Sequence, residues 1–190
     1  MISGGRMVVL MGHPKPHSRT HGVAAQAGRL LQHALAAERL ELPDPTVVDL
    51  ADITPQLVDR HGRNRVADAA VRTVCGATLL VAASPTFRAS YSGLLKYFLD
   101  LLPRDGLDAT VALPVMTAGL PSHRWAVDTT LRPVLLELRA LVPTRGIAVL
   151  ETELSCVDSL FERWWQEQGP ALAEAVRAGV GCQREDVGSC

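Results

Sequence analysis

Met7-Val8-Val9-Leu10-Met11-Gly12-His13-Pro14-Lys15-Pro16-His17-Ser18-Arg19-Thr20 is the stretch that decides the fold. Met7 to Met11 is apolar without alternation, which suits a strand buried on both faces. Gly12 to His17 is a turn-rich loop. Beyond it, Val23, Ala27, Leu30, Leu31, Ala34 and Leu35 recur at helical spacing up to about Leu40. Ser18 or Thr20 can cap that helix, and Pro43 and Pro45 end it. A strand buried on both faces that feeds a helix is the first half of a parallel β-α-β unit.

The same pattern recurs along the chain. Thr46 to Leu50 reads as a second strand, Ala51 to Arg63 as a surface loop, and Asn64 to Val74 as a helix. Ala77 to Ala83 is a third apolar strand, stopped by Ser84-Pro85. A helix follows from about Ser92 to Leu102, with Leu94, Leu95, Phe98, Leu101 and Leu102 as its buried stripe. Val111 to Met116 is a fourth strand, although Pro114 fits a central strand poorly. A helix from about His123 to Leu141 carries Pro133 as an expected kink. Ile147 to Leu150 is the fifth strand, and a last helix covers about Val157 to Arg177. Five strand-helix units fit a flavodoxin-like, doubly wound α/β fold. It has a five-stranded parallel sheet in the order 2-1-3-4-5 with helices on both faces. We expect a single domain over residues 1–178 and a flexible tail over 179–190.

Composition removes several classes of function. The 190 residues carry a formal net charge of −1, which does not suit a sequence-independent nucleic-acid binder or a strongly acidic electron carrier. No stretch approaches the length of a membrane span, and the start does not resemble a signal peptide, so a cytoplasmic location is expected. Cys75, Cys156, Cys182 and Cys190 lack the spacing of a zinc site or a disulfide framework. His13, His17 and His21 are four apart, but Pro14 and Pro16 break any helix there, so no metal is expected. Ser84 and Ser122 lack a nucleophile elbow, which argues against a hydrolase. Trp125, Trp164 and Trp165 read as core or interface residues.

In a doubly wound sheet, ligands bind beyond the carboxyl ends of the strands. The first strand ends at a helix N-terminus, where free N–H groups suit a phosphate. Ser18 and Thr20 can add hydroxyls and Arg19 a charge; equally, Ser18 can be a simple cap. The third strand ends in Ser84-Pro85-Thr86-Phe87-Arg88-Ala89-Ser90-Tyr91-Ser92. Backbone groups from Thr86 to Arg88 could meet the edge of a flat heterocycle, or the segment could be an ordinary loop. The fourth strand ends in Thr117-Ala118-Gly119, where Gly119 could admit a close ligand.

Together these loops resemble the NADPH-dependent FMN reductase family. The first is similar to that family's GSPRxxSRT phosphate loop. SPTFRASYSGLLKYFLDLLP is similar to its TPxYxASYSGxLKxxLDLLP segment, and AVDTTLRPVLLELRA to AxDxxLKPVLxxLxA of reductases that serve sulfonate monooxygenases. The resemblance spans roughly Met7 to Leu150. It implies FMN, reduced by NADPH or NADH, with hydride passing directly between cofactors and no acid–base catalytic residue. It also implies that Ser18, Arg19 and Thr20 hold the FMN phosphate, and that Pro85, Thr86, Phe87 and Arg88 line the isoalloxazine. Thr117 and Gly119 would border its other side. A homodimer or homotetramer is implied, with Tyr91, Leu95 and Lys96 on the helix between subunits, and so is a flavin-dependent monooxygenase partner. The alternatives are an enzyme that retains FMN and reduces a quinone or azo compound, or a biosynthetic member with another ligand. Three departures stand out: His13 replaces a usual Ser, Ala118-Gly119-Leu120 a Gly-Gly-Ser type run, and Thr129 a bulky Tyr.

Overall fold

The computed structural model describes residues 2, 3, 5–58 and 64–187. The central sheet has five parallel strands: β1 (Met7–Met11), β2 (Thr46–Asp49), β3 (Leu79–Pro85), β4 (Val111–Ala118) and β5 (Ile147–Leu150). Their order is β2-β1-β3-β4-β5, the doubly wound order expected from the sequence. Ile2–Ser3 and Leu40–Glu41 form a separate short parallel pair.

Helices cover both faces. They are α1 (Arg19–Ala37), α2 (Leu50–Val58), α3 (Arg65–Cys75), α4 (Gly93–Leu99), α5 (Arg132–Glu137) and α6 (Val157–Val187). Alternation along the strands divides the core in two. Val8, Leu10, Leu80 and Ala82 pack with Leu50, Val74, Phe98 and Leu135 on one face. Met7, Val9, Val81 and Leu113 pack with Leu31, Leu35, Phe161 and Val176 on the other.

Two prolines inside strands are explained by position. Val111 N–H donates to Thr78 O on the β3 side, and Ala112 N–H to Leu141 O on the opposite side. Alternation then turns the nitrogen of Pro114 away from β3, toward β5, whose pairing begins only at Val115 with Ile147. The absent N–H therefore costs no ladder bond. Likewise Thr86 N–H points to β4, so the nitrogen of Pro85 faces β1, which ended its pairing at Met11 with Ala83. Ser84-Pro85 thus does not stop β3, and β4 runs on through Ala118 instead of ending at Met116.

The helices depart from expectation in four places. Residues 51–58 are helical, not a loop; Asp49 Oδ1 accepts the Ala51 N–H at 3.0 Å and starts α2. The buried pair Leu50 and Leu57 had helical spacing, masked in the sequence by Pro55. The rest of the expected loop, 59–63, lies outside the described residues. α4 is shorter than predicted, and Leu101 is exposed instead of buried. The single kinked helix is instead a 3-10 turn (Pro121–His123), a π-helical turn (Val127–Leu131) and then α5. Pro133 lies directly after the π-helical turn, which runs into α5 with Leu131 and Arg132 still helical, and such a bulge is where a helix accommodates the missing N–H of proline. Finally, α6 does not end near Arg177: it continues through Val187, and Val180 is buried where a flexible tail was expected.

Candidate functional site

The carboxyl ends of β1, β3, β4 and β5 surround one cleft of about 400 Å3. The loop after β1 forms its floor. Gly12 N–H donates to Ala83 O at 2.8 Å, and a Cβ at Gly12 would lie 2.6 Å from Leu95 Cβ. Only glycine lets this loop leave the sheet against α4. His13 turns back, with Nδ1 accepting the Lys15 N–H at 2.9 Å, and its ring meets Phe87 edge-on at 5.8 Å. His13 thus places a ring against the opposite wall of the cleft.

Ser18 is the N-cap of α1, its Oγ accepting the His21 N–H at 3.2 Å. That leaves the N–H groups of Arg19 and Thr20 without intrahelical acceptors, and both residues line the cleft, where the helix brings its partial positive charge. Thr20 Oγ1 lies 2.6 Å from Thr117 Oγ1, and both residues are buried. This bond ties the start of α1 to the end of β4. Arg19 reaches across the mouth, where Nη1 donates to Glu151 Oε2 at 2.7 Å.

The opposite wall is the loop after β3. Thr86 N–H donates to Thr117 O at 2.7 Å. Phe87 and Ser90 exchange backbone hydrogen bonds, with Arg88 (φ 51°) and Ala89 (φ 63°) at the corner. Two left-handed residues in sequence make a turn that normally selects Asn-Gly. Ser92 anchors the loop from behind: its N–H donates to Ser84 Oγ at 2.9 Å, its Oγ donates to Gly12 O, and that Oγ accepts the Leu95 N–H at 3.0 Å. Floor and wall therefore share one buried hydroxyl.

Of the residues singled out in the sequence, Ser18, Arg19, Thr20, Pro85, Thr86, Phe87, Thr117 and Gly119 all line this cleft. Arg88 does not: it is exposed on the left-handed corner, because the turn throws its side chain outward. Leu95 is wholly buried against Gly12 in its own core, so it cannot serve a subunit contact. Lys96 is exposed and pairs with Asp100 at 2.5 Å, which raises its pKa. Tyr91 is half-buried, and desolvation pushes its phenol up. Sequence reasoning missed Glu151 and Leu154, which also line the cleft. The signal lies in position, since Glu151 directly follows the fifth strand, at the carboxyl end of the sheet.

Two observations test whether a flavin phosphate and ring suit this cleft. Thr86 Oγ1 is buried and has no hydrogen-bond partner, a costly state that a polar ligand edge would relieve. A Cβ at Gly119 would meet nothing within 4 Å, so packing does not demand glycine there, while the open space faces the cleft. The residues fit such a group. Among the described residues no cluster of His, Cys, Asp or Glu could hold a metal ion.

The sequence profile of the NADPH-dependent FMN reductase family matches residues 6–154. The chain belongs to that family. An FMN reductase (NADPH) of Pseudomonas aeruginosa PAO1 is 34% identical over 158 residues, covering 80% of this chain and 81% of that protein. The FMN reductase (NADPH) of Escherichia coli K12 is 35% identical over 101 residues, 46% of this chain and 53% of that protein. The chain thus spans about half the length of this FMN reductase relative. The structure of an NADH:FMN oxidoreductase, EMOB, in its apo form superposes with a TM-score of 0.73 at 29% identity. That match covers 93% of this chain and 89% of the other.

Proposed function

We propose that this FMN reductase family member catalyses the reduction of FMN by NADPH or NADH and releases reduced flavin to a flavin-dependent monooxygenase. The observation that carries the reading is the convergence of the α1 N-terminus, with Ser18, Arg19 and Thr20, and the Pro85-Thr86-Phe87 wall on one cleft. Relatives named as FMN reductases, some NADPH- and some NADH-dependent, support it.

Ser18, Arg19, Thr20 and the first-turn N–H groups of α1 would hold the phosphate. Pro85, Thr86, Phe87, Thr117 and Gly119 would enclose the ring, with Thr86 Oγ1 offering its unused hydrogen-bonding capacity. Bound FMN supplies a two-electron acceptor for the hydride of a reduced nicotinamide. The protein's part is to position both rings and exclude water, so no side chain need move a proton. Exposed Phe87 lines the cleft and provides apolar cover for a second ring.

We assign the protein to the cytoplasm and to a homodimer or homotetramer, with exposed Tyr97 and Leu101 near α4 as the contact in place of Leu95. No helix among the described residues is long and apolar enough to cross a membrane. The test is NADPH and NADH oxidation with and without added FMN, on protein whose absorbance spectrum and solution mass are recorded first. Oxidation that requires added FMN, by colourless protein, is the expected result. Yellow protein that oxidises NAD(P)H only with a quinone or azo acceptor would overturn it.

A further inference from the structure

We propose that Glu151 sets the affinity of the cleft for a phosphorylated flavin by competing with the phosphate for Arg19. The proposal deepens, and rests on, the assignment of the phosphate to the start of α1.

The cleft is otherwise built for an anion. Lys15 and Arg19 line it, with His13, His17 and the α1 N-terminus; among the described residues Glu151 is the one acidic residue that lines it. That one carboxylate is placed on the guanidinium expected to meet the phosphate, at 2.7 Å. The placement is held by tertiary structure. Leu150 N–H donates to Glu153 Oε2 at 3.0 Å, and Arg124 binds both Glu153 and Ala148 O, so the 3-10 turn that follows β5 is fixed from the far side. Glu151, at the start of that turn, is left to face Arg19.

The pair is exposed, with 65% and 48% of the two side chains open to solvent, so it is weak and readily exchanged. A phosphate dianion carries more charge than a carboxylate and can take the guanidinium fork, as such groups do. It must then tolerate Glu151 as a neighbouring like charge. The carboxylate thus lowers phosphate affinity twice: it holds Arg19 when the cleft is empty and repels the phosphate when it is filled. A reductase that hands its flavin onward gains by this, because product release follows from the same residue that gates entry.

The experiment is titration of wild type and Glu151→Gln with FMN and with riboflavin, which has the same ring and no phosphate. Glutamine keeps the size and a hydrogen bond to Arg19 but removes the charge. The FMN Kd is expected to fall about three- to tenfold, less at high salt, while the riboflavin Kd moves by less than about twofold. Glu151→Ala should tighten FMN in the same direction, and thermal melts report whether either variant is folded. An unchanged or weaker FMN Kd, with wild type still preferring FMN to riboflavin, overturns the role of Glu151 alone. Equal tightening of FMN and riboflavin also overturns it, because the effect would then be one of shape. Equal wild-type affinity for the two flavins would remove the phosphate assignment itself and the proposal with it.

Discussion

The hydroxyls of Thr20 and Thr117 stand 2.6 Å apart in the buried floor of the cleft, joining the first turn of α1 to the end of β4. The two residues are 97 positions apart in the chain. Because two hydroxyls share one bond, one hydrogen remains to be donated elsewhere. If a phosphate accepts from Thr20, Thr117 must donate to Thr20.

Removing one partner leaves the other buried and unsatisfied. Thr20→Val and Thr117→Val should each destabilise by about 1–3 kcal/mol. The double variant should cost little more than either single one, since both partners are then apolar. Urea unfolding of the four proteins measures this, and simple additivity would show that the bond contributes nothing of its own.

Gly12 and Gly119 should behave oppositely. A Cβ at Gly12 collides with Leu95, so Gly12→Ala should cost about 1–3 kcal/mol of stability. A Cβ at Gly119 meets nothing, so Gly119→Ala should leave the melting temperature within about 1–2 °C and act on flavin binding alone. Thermal melts beside FMN titrations separate the two; a large loss of stability in Gly119→Ala would contradict the open space seen there.

The Arg88-Ala89 corner stores backbone strain, since both residues have positive φ. The double substitution Arg88→Asn with Ala89→Gly supplies residues that adopt this turn readily. It should stabilise by about 1–2 kcal/mol, a rise of roughly 2–8 °C in Tm. Because Arg88 lies outside the cleft, FMN affinity should stay within about twofold. Calorimetry and a flavin titration together decide the point.

Glu153 ties stability to acid. Burial opposes its ionisation, but the Leu150 N–H and Arg124 outweigh that and hold its pKa below the usual value of 4.5. A depressed folded pKa means that the unfolded chain binds more protons near that pH. The contribution is therefore complete above the unfolded pKa and is lost as pH falls through the lower folded pKa. Glu153→Gln should unfold with a flatter pH dependence below about pH 4.5, while matching itself at pH 6 and 7. Parallel acid titrations of wild type and variant, followed by circular dichroism, would expose an unaltered slope if the pairing had no effect.

The sequence by itself determined the sheet, its order and most of the cleft wall. Short uninterrupted apolar runs such as Met7 to Met11 and Leu79 to Ala83, bounded by turn residues, suit strands covered on both faces, and ligands of such a sheet bind at the loops beyond the strands' carboxyl ends. Ser18, Thr20 and Thr86 are legible on that ground, and Thr117 through the resemblance to the reductase family. Local pattern failed where distant chain decides. Residues 51–58 are helical because Leu50 and Leu57 find the core, despite Pro55. Pro114 and Pro85 sit in central strands because neighbouring strands start late or stop early. Arg88 faces solvent because the Phe87–Ser90 pairing closes a left-handed turn. Glu151 meets Arg19 across 132 residues, a contact no spacing encodes. Hydrophobic periodicity is written along the chain, whereas hydrogen-bond partners and charge pairs depend on which loop ends the packed sheet brings within 3 Å of one another.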